Sequence, residues 1–407
     1  MRIHPASRLL ALALLLSLRA FATDGYFSTG YGVKQQGQGG AGIAFPQDSI
    51  AAATNPAGMV FVGDRFDFGM SWFRPIRGAS ITGSGAPGVD GIYDGSRKKN
   101  FFIPELGYNH LFSPRLAFGV SIYGNGGMNT AYTTPVPLFS GPANFRAGVD
   151  LQQLFIAPTL AFKANAHNAF GVSLNIAYQK FSAQGLENFA NPHFSSAPGN
   201  VTERGFSNSF GAGVRVGWVG TINQSLSLGA TFQTRTYPYM QKFDKYKGLF
   251  AEQGGFDIPA NVAGGVAFKV HPKATVLFDV ERIFYGQVKS IANPDFLFQA
   301  PLGANNGPGF GWHDIRFQAE SDVDAARRFQ PLGSALRRHS NPDCWSEGNA
   351  AHDFGWASRI STIQNRACDS AGLKALIRRC TARVILSTLL SWIAVNAKGL
   401  LIAFLVP

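Results

Sequence analysis

The stretch that decides the fold class is Val172-Ser173-Leu174-Asn175-Ile176-Ala177-Tyr178-Gln179. Val172, Leu174, Ile176 and Tyr178 alternate with Ser173, Asn175, Ala177 and Gln179, a period of two that gives a β-strand one apolar face and one polar or small one. The same alternation returns in Leu116, Phe118, Val120 and Ile122, in Leu154, Ile156, Leu160 and Phe162, and in Phe210, Ala212, Val214, Val216 and Trp218. It continues through Leu226, Leu228 and Phe232, then Val266, Phe268 and Val270, then Val276, Phe278 and Val280. Between Arg65 and Phe317 about nine such segments and the start of a tenth can be read, and no amphipathic helix of comparable length competes with them.

The connections narrow the architecture. Turn-forming residues make short links at Ser113-Pro114, Asn165 to Asn168, Asn223-Gln224 and His271-Pro272. Long links fall between them, over Ser84 to Lys99, Gly124 to Asp150, Ser182 to Gly205, Tyr237 to Ile258 and Gly286 to Gly309. Short and long alternate strictly, which a transmembrane barrel with short periplasmic turns and long outer loops explains and a soluble sandwich does not. Each repeat supplies the ~10 residues that a tilted strand needs to cross the hydrocarbon. The expectation is an all-β, antiparallel transmembrane barrel. Its first strand, Arg65 to Arg77, runs outward and leaves residues 23–64, rich in Gly and Ala, to fold back as a plug.

Composition agrees: 407 residues with 47 Gly, 35 Phe and only 15% charged side chains suit a sheet meeting apolar surroundings on one face. The net charge of +12 would suit nucleic acid only if Lys and Arg clustered, and no cluster precedes residue 318, so an anionic lipid surface accounts for the scattered cations and nucleic acid is not expected as a partner. Arg2 and Arg8, the apolar run Leu9 to Leu18, and Ala20-Phe21-Ala22 read as a cleaved secretory signal over residues 1–22. Cys344, Cys368 and Cys380 all lie in the last quarter, so no disulfide framework supports Thr23 to Phe317.

Several motifs carry a resemblance. Ala22-Thr23-Asp24-Gly25-Tyr26-Phe27, Gly37-Gln38-Gly39-Gly40-Ala41-Gly42 and Ala51-Ala52-Ala53-Thr54-Asn55-Pro56-Ala57-Gly58 resemble the N-terminal hatch of FadL-type outer-membrane transporters, the Asn-Pro-Ala triplet most specifically. Gly126 to Tyr132 and Gly148 to Pro158 look like that family's third strand, its loop and the start of the fourth; Asp257-Ile258-Pro259-Ala260 and Gly309 to Asp314 also match. The resemblance implies a monomeric barrel of fourteen strands with a hatch, inserted by the barrel assembly machinery among outer-membrane lipids. It implies passive transport, without a cofactor, of long-chain fatty acids or, alternatively, aromatic hydrocarbons, bound near the outer loops and released sideways at a kinked third strand.

The residues offer candidate positions for these roles. Asn55, Pro56 and Ala57 read either as part of the hatch or as a plain turn. Gly124, Gly126 and Gly127 would weaken strand pairing and favour a kink, or else begin a surface loop. Phe139 and Phe145, with Val136 and Leu138, either pack their loop or line an apolar docking site; Arg146 could meet a carboxylate or stand solvated. Gly37, Gly39 and Gly42 fit a phosphate-cradling spacing but lack the buried strand before them that it requires. No G-x-S-x-G, H-E-x-x-H or Cys-x-x-Cys occurs, so catalysis is not expected; an outer-membrane lipase and a structural barrel are the readings of another class.

After Phe317 the sequence changes character. Gly and Phe thin out, Arg pairs arrive at 327–328, 337–338 and 378–379, and Val384 to Val406 is an apolar run that taken literally is a membrane helix containing Lys398. The domains expected are therefore a signal (1–22), a hatch (23–64), an incomplete barrel (65–317), and an atypical tail (318–407) that fits a shifted reading frame, its barrel strands absent or replaced.

Overall fold

The structure, a computed structural model, describes residues 24–312 apart from 142–143, 237–240, 273 and 296–299, together with 401–404. Its strands are β1 (Arg65–Phe73), β2 (Gly78–Ile81), β3 (Gly91–Asp94), β4 (Phe101–Ser113), β5 (Leu116–Ala131), β6 (Gly148–Lys163), β7 (Asn168–Gln184), β8 (Ser207–Thr221), β9 (Leu226–Gln233), β10 (Asn261–His271), β11 (Ala274–Ile283) and β12 (Leu401–Phe404). Ten form one antiparallel sheet in the order β1-β4-β5-β6-β7-β8-β9-β10-β11-β12, and β2 and β3 form a separate hairpin. Chain neighbours are sheet neighbours throughout, apart from the β2–β3 insertion and the step to β12, which is the meander that alternating short and long links require.

All four short turns stand where the sequence places them, and the register keeps the apolar set on one face: Val172 pairs with Val216, Leu174 with Val214 and Tyr178 with Phe210. That face is bare. Phe66, Phe68, Met70 and Trp72 are between 55% and 67% exposed, and Leu160, Phe162, Val172, Leu174, Val216 and Phe268 are exposed with them. An apolar surface this continuous belongs against lipid. The opposite face is polar and buried, with Ser121, Gln153, Ser173, Asn175 and Gln179 all 4% exposed or less. The sheet curves around residues 24–64, whose Ile50, Ala52, Ala53, Ala57 and Met59 are buried against its inner side.

Three boundaries differ from the sequence reading. β1 stops at Phe73 instead of Arg77, because Pro75 has no N–H to offer a ladder. The first long link therefore spans 74–100 rather than 84–99 and contains the β2–β3 hairpin, whose four-residue strands are too short to show a period. β5 runs to Ala131 and β6 begins at Gly148, so Gly124, Gly126 and Gly127 lie within a strand and the loop is 132–147. No helix among the described residues is long and apolar enough to cross a membrane. The signal and most of the tail lie outside the described residues; of the apolar run read as a helix, Leu401–Phe404 instead pairs as strand with Val276 to Asp279 of β11.

Candidate functional site

The inner space divides into two storeys. Towards the long loops, side chains from four parts of the chain make an aromatic cluster. Tyr26 comes from the N-terminal segment and Phe181 from the end of β7. Phe243, Phe250 and Phe256 come from the link between β9 and β10, and Tyr285, Phe310 and Trp312 follow β11. Phe181 and Phe250 lie 4.6 Å apart between ring centres, Phe250 and Phe256 4.9 Å, and Tyr285 is edge-on to Trp312 at 5.4 Å. Each such pair contributes about 0.5–1.5 kcal/mol beyond its buried area. Burial raises the phenols of Tyr26 and Tyr285 above the usual tyrosine range, so both are neutral, and Tyr285 donates its hydroxyl proton to the carbonyl of Asp24. Arg235 flanks the cluster, but its Nη2 lies 2.8 Å from the Asp257 carboxylate and its Nη1 donates to the Gln287 carbonyl.

Below lies a lattice of amides. The Tyr31 hydroxyl donates to Asn125 at 3.2 Å, Asn125 to Gln153 at 3.0 Å, and Gln153 to Gln179 at 3.0 Å; Gln179 donates upward to the Phe256 carbonyl at 2.7 Å. Asn175 and Arg215 both donate to Gln233, at 2.9 and 2.6 Å, and Arg215 also reaches the Thr54 carbonyl at 3.0 Å. These are successive inward positions on β5 to β9, so register alone brings them together. Beside them is a cavity of about 80 Å³ lined by Asp24, Tyr31, Arg215, Asp279 and Glu281 among others, enough for a few waters and charged enough to hold them.

The N-terminal segment is tied to this storey by the wall itself. Asp67 of β1 accepts from Ser49 N at 2.9 Å and Oγ at 2.7 Å, Glu105 of β4 from Val33 N at 2.7 Å, and Asp279 of β11 from Gly42 N at 2.6 Å and Ile43 N at 3.0 Å. Asn55 is the cap of a 3₁₀ turn over Pro56–Phe61, accepting from Ala57 N at 3.1 Å, while its Nδ2 donates to the carbonyls of Ile43 and Trp218, both at 2.9 Å. The wall carries glycine where this turn approaches: a Cβ at Gly171 or Gly217 would run into Pro56 or Asn55. Asn55, Pro56 and Ala57 thus form a turn that lies against the inner side of β7 and β8.

Between the storeys the wall is interrupted. β4 pairs with β5 only from Leu106–Ile122 down to the Ser113–Leu116 turn, although Phe101 to Glu105 still pair with β1 and Gly126 to Ala131 with β6. The break begins beyond Ile122, just before the bulge between Gly124 and Gly126 in the β5–β6 ladder. At about 3.4 Å per residue the five residues Phe101 to Glu105 leave some 17 Å of edge without its neighbour. From inside, the N-terminal segment takes up part of the facing edge of β5: Ser28 N donates to Asn125 O at 3.0 Å and Gly127 N to Tyr26 O at 2.9 Å. A Cβ on Gly126 would collide with Tyr26, so the close approach requires glycine.

The sequence pattern of the family described as outer membrane protein transport protein (OMPP1/FadL/TodX) matches residues 19–291. The chain belongs to this family. The fold is similar to that of the Pseudomonas putida toluene transporter TodX, at 17% identity over 67% of this chain and 73% of that one, with a TM-score of 0.51. The Ralstonia pickettii toluene transporter TbuX (18%, 64% and 73%, 0.47) and a Pseudomonas aeruginosa FadL homologue (16%, 65% and 70%, 0.45) are also similar. No curated protein sequence matches. As a FadL/TodX member the chain is a bacterial outer-membrane barrel from a family of transporters of hydrophobic molecules.

Of the positions singled out in the sequence, Gly124, Gly126 and Gly127 stand at the break, and Asn55 to Ala57 stand elsewhere, against β7 and β8. Phe139 packs on Phe189 at 6.1 Å within the outer loops, Phe145 is 48% exposed, and Arg146 is exposed beside it. Tyr26, Phe181, Phe256, Tyr285 and the amides were not anticipated. The amides carried a signal, since Asn175 and Gln179 sit at every second, inward place of the deciding stretch.

Proposed function

We propose that this chain passes small neutral hydrophobic molecules, monoaromatic hydrocarbons foremost, from the outer loops through the aromatic cluster and sideways into the membrane at the β4–β5 break. The observation that carries the reading is the unpaired edge of β4 at the level of Tyr26, which belongs to the cluster. An apolar molecule leaving the cluster downward would have to strip the hydrogen-bonded amides and charged groups beneath it, at roughly 1–3 kcal/mol per buried group left unpaired. Sideways it meets an edge closed only by Tyr26 to Ser28. Residues 24–64 act as the hatch, held by Asp67, Glu105 and Asp279, and transport is driven by partition into the bilayer without a cofactor.

The preference for neutral aromatics rests on the cluster's rings and on Arg235 being engaged by Asp257 and Gln287. TodX, of similar fold, is a toluene transporter by name. Long-chain fatty acid is the second reading, favoured by Arg146 exposed next to Phe145 on the outer loop. Equilibrium dialysis of the purified protein against labelled toluene and oleate distinguishes them: saturable toluene binding is expected, oleate alone would exchange the two readings, and retention of neither would sink the transport proposal.

A further inference from the structure

Five basic residues, read in the sequence as scattered although three of them are consecutive, converge on one stretch of rim. Arg74 and Arg77 follow β1 at its loop end, and Arg97, Lys98 and Lys99 precede β4 at the same end, where Phe73 pairs with Phe101. Five cations thus share the crown of two adjacent strands, against Asp94 and Asp150 as the neighbouring acids. Asp94 is occupied by the Ser96 N–H, and Asp150 lies 3.3 Å from Lys98 and also accepts from Gln152. Arg97, Lys98 and Lys99 are exposed, and among the described residues the Arg97 guanidinium meets only the neutral Gln184 amide at 3.2 Å. Arg77 lies over the Phe101 ring at 5.7 Å, with a buried Nε that has no partner among the described residues.

Directly beneath, Trp72 and Phe102 stack at 6.5 Å on the lipid face, both about 60% exposed, and Arg74 stands over Trp72 at 6.0 Å. The amphipathic indole of Trp72, whose Nε1 donates to Asn100, is a ring of the kind that sits at headgroup depth. The cations just above it therefore lie where the phosphates of outer-leaflet lipids lie, with their stems on apolar surface and their heads turned outward.

We infer that this rim is a binding surface for the phosphorylated sugar headgroup of an outer-leaflet glycolipid of the lipid A type. Closely spaced guanidinium forks and ammonium groups match two phosphates on one rigid headgroup better than they match a single diester, because each Arg offers paired donors and each Lys a point charge. The site is separate from the transport path and adjoins the same two strands, β1 and β4, whose β5 side is broken.

The test uses the full chain folded in detergent micelles, incubated with diphosphoryl lipid A, enzymatically dephosphorylated lipid A or phosphatidylglycerol, and then freed of unbound lipid by size exclusion. The combined variant Arg74→Gln, Arg97→Gln, Lys98→Gln and Lys99→Gln should retain at least about ten-fold less diphosphoryl lipid A. Arg115→Gln with Lys163→Gln, at the opposite rim, should retain the wild-type amount. Wild-type protein should hold the dephosphorylated lipid and phosphatidylglycerol no better than the fourfold variant holds lipid A. Equal retention by the fourfold variant, or equal retention of the two comparison lipids, overturns the assignment. If the fourfold variant does not fold, Lys99→Gln alone, on an exposed residue, should show about a two- to three-fold loss at low salt that vanishes at high salt, and no loss there also overturns it.

Discussion

The storey above Gly124 and the storey below it are sealed by different physics. Below, every wall strand from β4 to β11 is paired on both sides, and inward polar groups meet in directional bonds, Asn175 and Arg215 to Gln233 and the Asp279 carboxylate to backbone N–H. Above, ring packing dominates and strand pairs have come apart, β4 from β5 beyond Leu106 and β8 from β9 beyond Arg215. Directional bonds tolerate no apolar intruder, whereas a ring cluster exchanges one apolar contact for another at little cost. The lower storey is built to stay, and on the proposed route the upper one is entered.

Repairing the break attacks that contrast most severely. Deleting Asn125 removes the extra residue of the bulge and allows β5 to pair with β4 along its length; uptake of labelled toluene into proteoliposomes should then fall to the protein-free background. Uptake at wild-type rate would show that the break is not the exit. Truncating the centre of the ring cluster comes next. Phe256→Ala removes a side chain 1% exposed and should lower stability by about 3–5 kcal/mol in denaturant titration. Toluene binding should weaken in the same variant, and a loss of stability without a loss of binding would separate the cluster from the ligand.

Asn55→Ala tests the lower storey. It removes a cap and two donated bonds, so about 2 kcal/mol should be lost and single-channel recordings should show water-filled openings absent from the wild type. A closed channel would mean that the wall carboxylates suffice. The smallest effect expected is a pH dependence on the aromatic side. Burial is the largest influence on Asp257 and raises its carboxyl above the ordinary range, although Arg235 pulls the other way. The fold therefore favours the neutral acid: that contribution is complete below the ordinary carboxylate pKa and is lost as pH rises through the raised value. Asp257→Asn should flatten a decline in stability just above pH 4, and an unchanged slope would assign the titration elsewhere.

How much of this the sequence disclosed follows the same division. Period-two alternation and turn residues are local, so the strands, their register and the four tight turns were legible from Val172 to Gln179 and its repeats. The break at Gly124 was legible as a tendency, because glycine marks where pairing is weak without saying which neighbour is lost. The ring cluster was not. Tyr26, Phe181, Phe256 and Tyr285 come from distant parts of the chain, and in a sequence with 35 Phe an aromatic in a long link is unremarked until the link folds inward. Pro75 ends β1, but Trp72, Arg74 and Ile76 keep every second side chain outward around it, so the alternation alone does not mark the stop.

The grip of the wall on residues 24–64 has a consequence for the order of assembly. The bonds from Ser49 to Asp67 close a loop of 18 residues, while those from Gly42 and Ile43 to Asp279 close loops of 237 and 236. Contacts of such different sequence separation do not form together, since loop closure must be met before a distant partner can contribute. The segment is thus first fastened to β1, the earliest strand, and becomes the mandrel around which the later strands are wound; Asp279 then latches a core already in place.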